Sequence, residues 1–588
     1  MSTSGRLSWP VGLLMLFLIL LALGATANLS LRSFESELVP EIEQKTITLG
    51  RSVIGLISRA QAHDIALAEL QGVDQLFLEV IKDNKEIDLM VITDMQGRML
   101  HSSRPIDALM VERLGQTVKQ GDRMGGLNIV SLSIEDADMR CGTLYVGVRT
   151  NFAQSILKEN LLDVLVVVVV AFFLAFEIAN FMASKASVST DLDVSSRLGD
   201  VRAPLFLFLV AEDLSRSFIP TYAASLSVQG LTWDMQFVQG LPIMLFMLVV
   251  GLSQPLMGSY SERLGRRKML LMGCIAGGLS HFGAAMAFSL YDLLAWRALA
   301  GLAWGVLFVA GQGYVLDHTD AGTRNRGLAF FVGVIMAASV CGPSMGGILA
   351  EGIGVRGTLI VAGALALCAA FLVWTRLPVG STRTRRKPIH FADFVALASN
   401  KRFVVLLLTA AMPAKIILIG LCFYMVPLYV PTQGASTAMV GRLIMLYAVI
   451  MVLAVPLFAR WSGAIAHRWR FVAGGMLVSG IGGLMPIVLP GVPAVAVMMV
   501  MLGIGQALSI APQTAMVIAV CSSEIERLGE GVVLGIYRLV ERLGNVFGPL
   551  FAAVLLHGLS FEQTFVAIGA FMLGSSMIFA IVFRHGKV

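Results

Sequence analysis

The fold class predicted here is a mainly α-helical membrane protein. Two six-helix halves follow a small α+β domain held between two further apolar helices. Three observations predict it. The 588 residues are 56% hydrophobic and only 14% charged, a balance seen in chains that cross a bilayer many times. From Ala203 to Phe583 twelve apolar stretches follow one another. Lys and Arg gather in alternate short loops, as expected of loops that stay in the cytoplasm.

The same composition excludes other classes. A net charge of +6 needs no nucleic-acid partner, because the basic residues sit in those loops. Cys141, Cys274, Cys341, Cys368, Cys422 and Cys521 form no CxxC or metal-like spacing. No P-loop, nucleophile elbow or HExxH is present, so neither an enzyme nor a cofactor or metal is expected.

Taken in order, residues 1–28 hold an apolar run from Pro10, read as an N-terminal transmembrane anchor; Ala25-Thr26-Ala27 would serve a cleaved signal peptide instead. Residues 29–159 are ordinary soluble sequence, placed outside the cytoplasm. Leu29 to Leu70 has apolar residues at helical spacing. Ile87 to Ser103 reads as strand, turn at Asp94–Gly97, strand; Gly126–Ile134 and Cys141–Arg149 alternate in the same way. This long helix followed by a sheet resembles the PAS-like Cache sensor domains, which implies a periplasmic ligand. A purely structural ectodomain is the alternative.

Residues 160–183, Val-rich, form a second transmembrane helix, and 184–202 a polar cytoplasmic linker. The N-terminal half spans 203–377, in apolar runs 203–227, 236–257, 269–289, 291–316, 328–352 and 357–376. A central cytoplasmic loop, 378–402, separates it from the C-terminal half, 403–588, with runs 403–430, 437–459, 471–489, 492–516, 530–557 and 563–583. Both termini are expected inside, in a cell inner membrane.

Between the second and third runs lies Gly258-Ser-Tyr-Ser-Glu262-Arg263-Leu-Gly265-Arg266-Arg267-Lys268, read as a tight basic loop. Its spacing, G-x-x-x-(D/E)-(R/K)-x-G-x-(R/K)-(R/K), resembles the loop motif of the major facilitator superfamily, and twelve apolar runs match that family's plan. The resemblance implies secondary transport without ATP, by rocking of one half against the other. It also implies a latch in which Glu262, with Arg266 and Asp317, engages the start of helix 11 near Gly529. Arg297 resembles the family's second motif. Gly342, Pro343, Gly346 and Gly347 resemble the end of its antiporter motif, which tilts the reading toward antiport; close helix packing would need the same residues.

Charges deep in apolar helices are costly and mark pathways. Glu212, Asp213 and Arg216 lie in the first run, where i,i+3 and i,i+4 spacing lets either acid pair with the Arg. Lys415 lies at comparable depth in the seventh, and Arg538, Glu541 and Arg542 in the eleventh. The expected roles are substrate binding for Arg216, Lys415, Gln312, Gln506 and Gln513, and proton coupling for Glu212, Asp213 and Glu541. The expected partners are a small anionic or zwitterionic solute, protons and the lipid bilayer. A receptor that senses an outside ligand, and an exporter of hydrophobic compounds or lipids, are the alternatives.

Overall fold

The computed structural model describes residues 39–61, 65–84, 86–106, 122–124, 126–136, 139–149, 161–173, 175, 193–226, 234–319, 323–378, 391–463 and 468–584. The chain divides into two compact units, Met1–Val168 and Val169–Val588. The anchor expected over 1–28 lies outside the described residues.

The first unit is an antiparallel sheet with helices. Helix α1 (Val39–Gln61) and helix α2 (Val73–Asp83) precede strands β1 (Ile87–Thr93), β2 (Met99–Ser102), β3 (Asp122–Met124), β4 (Leu127–Asp136) and β5 (Met139–Arg149). The sheet order is β2-β1-β5-β4-β3. In the β1–β2 turn, the Asp94 carboxylate accepts from the backbone N–H groups of Gln96 (2.9 Å) and Arg98 (2.8 Å), and Gly97 takes a φ of 77°. Strand β1 is buried on both faces. Met90 and Ile92 join Val53, Ile57 and Phe77 in one apolar cluster; Leu89 and Val91 join Leu127, Ile129 and Tyr145 in another. Helix α2 and strand β3 were not expected. Val73 and Phe77, four residues apart and both buried, are the helical signal that α2 carried.

Helix α3 (Leu161–Phe173) covers the described part of the second apolar run. The second unit continues with α4 (Asp193–Asp213), a 3₁₀ turn (Leu214–Ser217), α5 (Ile219–Ser225), α6 (Met235–Leu264), α7 (Arg266–Ala285), α8 (Leu290–Asp317) and α9 (Arg324–Arg376). After α10 (Phe391–Ala398) come α11 (Lys401–Thr432), α12 (Thr437–Gly463), α13 (Arg468–Gly483), α14 (Gly491–Val520), α15 (Ser522–Leu528), α16 (Glu530–Leu556) and α17 (Phe561–Arg584). Among the described residues, nine helices are long and apolar enough to cross a membrane.

Three local expectations change. The polar stretch 184–202 is helical from Asp193, because its last turns continue straight into the first apolar run. The central loop contains α10, whose Leu397 is fully buried. The basic segment at 258–268, expected as a tight loop, is tighter still and almost wholly helical. Helix α6 runs on to Leu264, the chain reverses at Gly265 alone (φ 88°), and α7 resumes at Arg266. Helical hydrogen bonding satisfies the backbone up to the turn, and only glycine adopts that turn without strain. At the other end of the bundle, Gly354 (φ 77°) folds α9 back on itself between its two apolar runs.

Helices α4–α9 form an N-terminal bundle and α11–α17 a C-terminal one. The bundles meet chiefly through α9 with α12 and α6 with α16. Small residues make the first contact possible. A Cβ on Gly347 would lie 2.6 Å from the Thr437 carbonyl oxygen, and one on Gly441 would lie 2.3 Å from that of Pro343. Gly342 and Gly346 face the other way, toward Asp213 and Leu214. Further ties lie at the same end. The Glu351 carboxylate accepts from the Ala438 N–H at 2.9 Å, the Tyr424 hydroxyl donates to the Gln236 carbonyl, and His557 meets Asp234 at 2.6 Å.

Glycine packing of this kind is testable. A Cβ on Gly346 would sit 1.9 Å from the Leu214 carbonyl oxygen, against backbone that cannot move aside. Gly346→Ala should lower the thermal unfolding midpoint in detergent by several degrees. Gly474→Ala, where an added Cβ meets nothing within 4 Å, should leave it unchanged or raise it.

Candidate functional site

The site begins where α4 stops. The chain leaves the α-helix at Asp213 for the 3₁₀ turn Leu214–Ser217 and restarts at Ile219, ahead of Pro220, which has no N–H to continue the ladder. A 3₁₀ turn repeats every three residues, so position i eclipses i+3. Arg216 therefore pairs with Asp213 (Nη2–Oδ1 2.6 Å), whose other oxygen accepts from the Ser339 hydroxyl on α9 at 3.0 Å. The i,i+4 alternative with Glu212 is not used. Glu212 turns to Arg297 of α8 instead (Oε1–Nη1 2.9 Å), with His281 of α7 on its other side (Oε2–Nε2 3.3 Å).

Glu212, Asp213, His281 and Arg297 are nearly inaccessible; the Arg216 side chain is 26% exposed. Both guanidinium groups also lie over aromatic rings. Arg297 sits 4.4 Å from the Phe246 centroid, and Arg216 sits 4.8 Å from that of Phe423, which belongs to the C-terminal bundle. Between them is a cavity of about 30 Å³, lined by Glu212, Ser215, Arg216, Ile219, Ile243, Phe246, Met247, Arg297 and Phe423. That is room for a water molecule, not for a metabolite.

The other expected site residues fall elsewhere. Lys415 pairs with Glu541 of α16 (3.2 Å), about two helical turns along α11 from Phe423. Helix α11 widens into π-helix over Leu407–Ala411 and Leu418–Met425, on either side of Lys415. Gln506 donates to the Ala414 carbonyl within that stretch (2.9 Å), which gives it a structural task. Gln513 is buried on α14 and Gln312 half-buried on α8; neither lines the cavity. Arg542 lies 5.3 Å from the rings of both Trp304 and Phe308, joining α16 to α8. His281 escaped the sequence reading. A histidine in an apolar run, at a depth matching Glu212, was the signal available.

At the α6–α7 turn, Arg266 is buried, with its Nε on Asp317 of α8 (2.9 Å) and its Nη1 on the Ser261 hydroxyl (2.9 Å). Its guanidinium lies over Gly313, where a Cβ would come within 2.6 Å. Arg267 donates to the Trp374 carbonyl. A Cβ on Gly258 would meet nothing within 4 Å, Arg263 is exposed, and the Glu262 side chain lies outside the described residues.

A family model of the Major Facilitator Superfamily matches residues 167–443 and 431–587. The chain belongs to the Major Facilitator Superfamily. Among curated relatives, it is 23% identical over 380 residues to a multi-drug resistance efflux pump PmrA homolog of Lactococcus lactis, covering 62% of this chain and 90% of the relative. It is 28% identical over 173 residues to the multidrug resistance protein MdtG of Yersinia enterocolitica, covering 29% of this chain and only 40% of MdtG. A solved bacterial homolog of the human lysosomal transporter Spinster, inward-facing and occupied, superposes with a TM-score of 0.55 at 15% identity, over 68% of this chain and 98% of that one. The peptide transporter PepTSo gives 0.53 at 12% identity, over 66% and 97%. At these identities the structures speak for the fold.

Within this superfamily member, the Arg266–Asp317 pair is the best-buried contact of the basic turn. Arg266→Ala strips a buried carboxylate of its guanidinium and should cost about 3–5 kcal/mol. Arg267→Ala, which loses a hydrogen bond at an exposed site, should cost far less. Denaturant unfolding in detergent compares the two.

Proposed function

We propose that this protein is a proton-coupled secondary transporter of a small organic solute, anionic or zwitterionic, in a cell inner membrane. The observation that carries this reading is the Arg216 guanidinium, partly exposed, paired with Asp213 on its own bundle and lying against Phe423 of the other. A cation at the seam of two bundles serves a solute bound between them, and a fixed scaffold has no use for leaving it reachable. Twelve spanning segments in two groups of six, with both termini cytoplasmic, complete the reading. The positive-inside rule then puts the end bearing Glu351–Ala438 and Asp234–His557 outside. With that end closed by contacts between the bundles, the arrangement is not outward-open.

Gly342, Pro343, Gly346 and Gly347 first suggested antiport. Close packing on Asp213, Leu214 and α12 accounts for these glycines, so the coupling rests on the ionisable groups. Glu212 lines the cavity and Asp213 is paired with Arg216, which lines it, while Glu541 with Lys415 forms a second pair that links α16 to α11. Arg266 with Asp317 serves as the conformational latch, with Glu262 its third member. Residues 29–159 are read as a Cache-like sensor outside the membrane; the helix-backed five-stranded sheet supports this. Export of hydrophobic compounds is the second reading, favoured by relatives named for multidrug resistance and by the apolar wall of Ile219, Ile243, Phe246, Met247 and Phe423.

Uptake into proteoliposomes under an imposed pH gradient tests the first reading with a panel of labelled organic anions, zwitterions and lipophilic cations. Arg216→Ala should reduce anion flux at least tenfold while the thermal unfolding midpoint stays near that of the parent. Undiminished flux in this variant removes Arg216 from the site, and flux confined to lipophilic cations turns the reading to export. Deleting residues 1–190 should change the response of transport to outside ligand; identical kinetics with and without the segment would rule out a sensor role.

A further inference from the structure

We infer that a recess at the end of the N-terminal bundle, between α5 and the fold of α9, holds the headgroup of a phospholipid that carries a primary ammonium beside its phosphate.

The recess has a volume of about 440 Å³. That lies within the ~300–1,000 Å³ of small-molecule sites, whereas the cavity at Arg216 has room for a water. Helix α5 supplies Thr221, Tyr222 and Ser225 to one wall; the chain reversal in α9 supplies Ile353, Gly354, Val355 and Arg356 to the other. Gly354 makes the reversal with a φ of 77°, which a side chain would strain.

The two walls offer opposite chemistry. Arg356 Nη2 donates to the Ala287 carbonyl at 3.2 Å, which fixes the guanidinium at the recess and leaves most of its N–H groups unused. Among the described residues no carboxylate pairs with it. Glu351 and Asp292, acids at the same end of the bundle, are engaged by the Ala438 N–H and by Ser289. A guanidinium fork of this kind suits phosphate oxygens. On the α5 wall, the Thr221 hydroxyl donates to the Phe218 carbonyl and the Ser225 hydroxyl to the Tyr222 carbonyl, each at 2.8 Å. With their protons committed, these oxygens can only accept. They lie four residues apart and so share a helix face. The Tyr222 hydroxyl is committed too, to the Ala284 carbonyl at 3.0 Å. The ligand is therefore an anion that also donates: a phosphate toward Arg356 and an ammonium toward Thr221 and Ser225. A choline headgroup has no N–H to give and would leave both hydroxyls idle.

Position points to the bilayer as the source. The recess lies where the apolar runs 328–352 and 357–376 meet, at the depth where hydrocarbon gives way to headgroups. Arginine at that level attracts lipid phosphate. Ile360, Leu367 and Phe371 are exposed along one face of α9 leading away from the recess, a track for an acyl chain.

The test is native mass spectrometry of the full-length protein, given equal amounts of phosphatidylethanolamine, phosphatidylcholine and phosphatidylglycerol with matched chains. The parent should retain the ethanolamine lipid about tenfold over the choline lipid, the preference that a charge-assisted hydrogen bond supplies. Arg356→Gln should lower that retention about tenfold as well, and Arg356→Lys less. Thr221→Val with Ser225→Ala should bring the ethanolamine and choline lipids level; if the pair fails to fold, Ser225→Ala alone, at an exposed position, should narrow the gap. Equal retention of the two lipids by the parent, or an unchanged preference in Arg356→Gln, overturns the inference. Phosphatidylglycerol retained ahead of the ethanolamine lipid overturns it too, since charge alone would then decide. Displacement of the lipid by an equal concentration of soluble O-phosphoethanolamine would overturn the bilayer as the source.

Discussion

A carboxylate taken out of water into a helical bundle surrounded by lipid loses several kcal/mol of hydration, and only a nearby cation with good geometry recovers it. Glu212 and Asp213 are adjacent in the chain, and the one cation within helical reach of both, Arg216, can neutralise only one of them. The structure resolves the conflict by breaking the helix. The 3₁₀ turn gives Asp213 to Arg216, three residues on, and leaves Glu212 pointing at Arg297 on a different helix. Much of the N-terminal bundle follows from this division. Helix α7 must bring His281, α8 must bring Arg297, and α9 must approach closely enough for Ser339 to reach Asp213. Gly342 and Gly346 allow that approach by presenting no side chain to Asp213 and Leu214.

The contact between the bundles is of a different kind. It is made by backbone against backbone at Gly347 and Gly441, by one carboxylate on a helix N-terminus, and by cations over aromatic rings at Phe423 and at Trp304 with Phe308. In hydrocarbon, apolar packing alone gives little preference for one helix over lipid, so such specific contacts decide where the bundles touch. They are also contacts that a modest rotation can break. A seam built from them suits a machine that opens at one end and then at the other.

The two parts of the chain were legible to different degrees. In the first unit, period-two alternation announced β1, β4 and β5, because each strand has to bury one or both faces. Helix α2 and the three-residue strand β3 were missed, one being short and the other defined only by its partner β4. In the membrane part, long apolar runs were plain. The continuation of α6 to Leu264 was not, since polarity marks where lipid ends and says nothing about where a helix ends.

By itself, the sequence determined the order of the apolar runs, the gathering of basic residues in alternate loops between them, and the presence of a handful of charges within those runs. These follow from composition along the chain, which the bilayer reads one segment at a time. Only the tertiary structure decided which charge answers which. Pairing depends on where a helix breaks and what a neighbouring helix carries at the same depth. Thus Glu212 found Arg297 and His281, Lys415 found Glu541, and Gln506 found the Ala414 carbonyl between two π-helical stretches. Spacing along one helix constrains partners on that helix; it holds no information about the residue that another helix brings alongside.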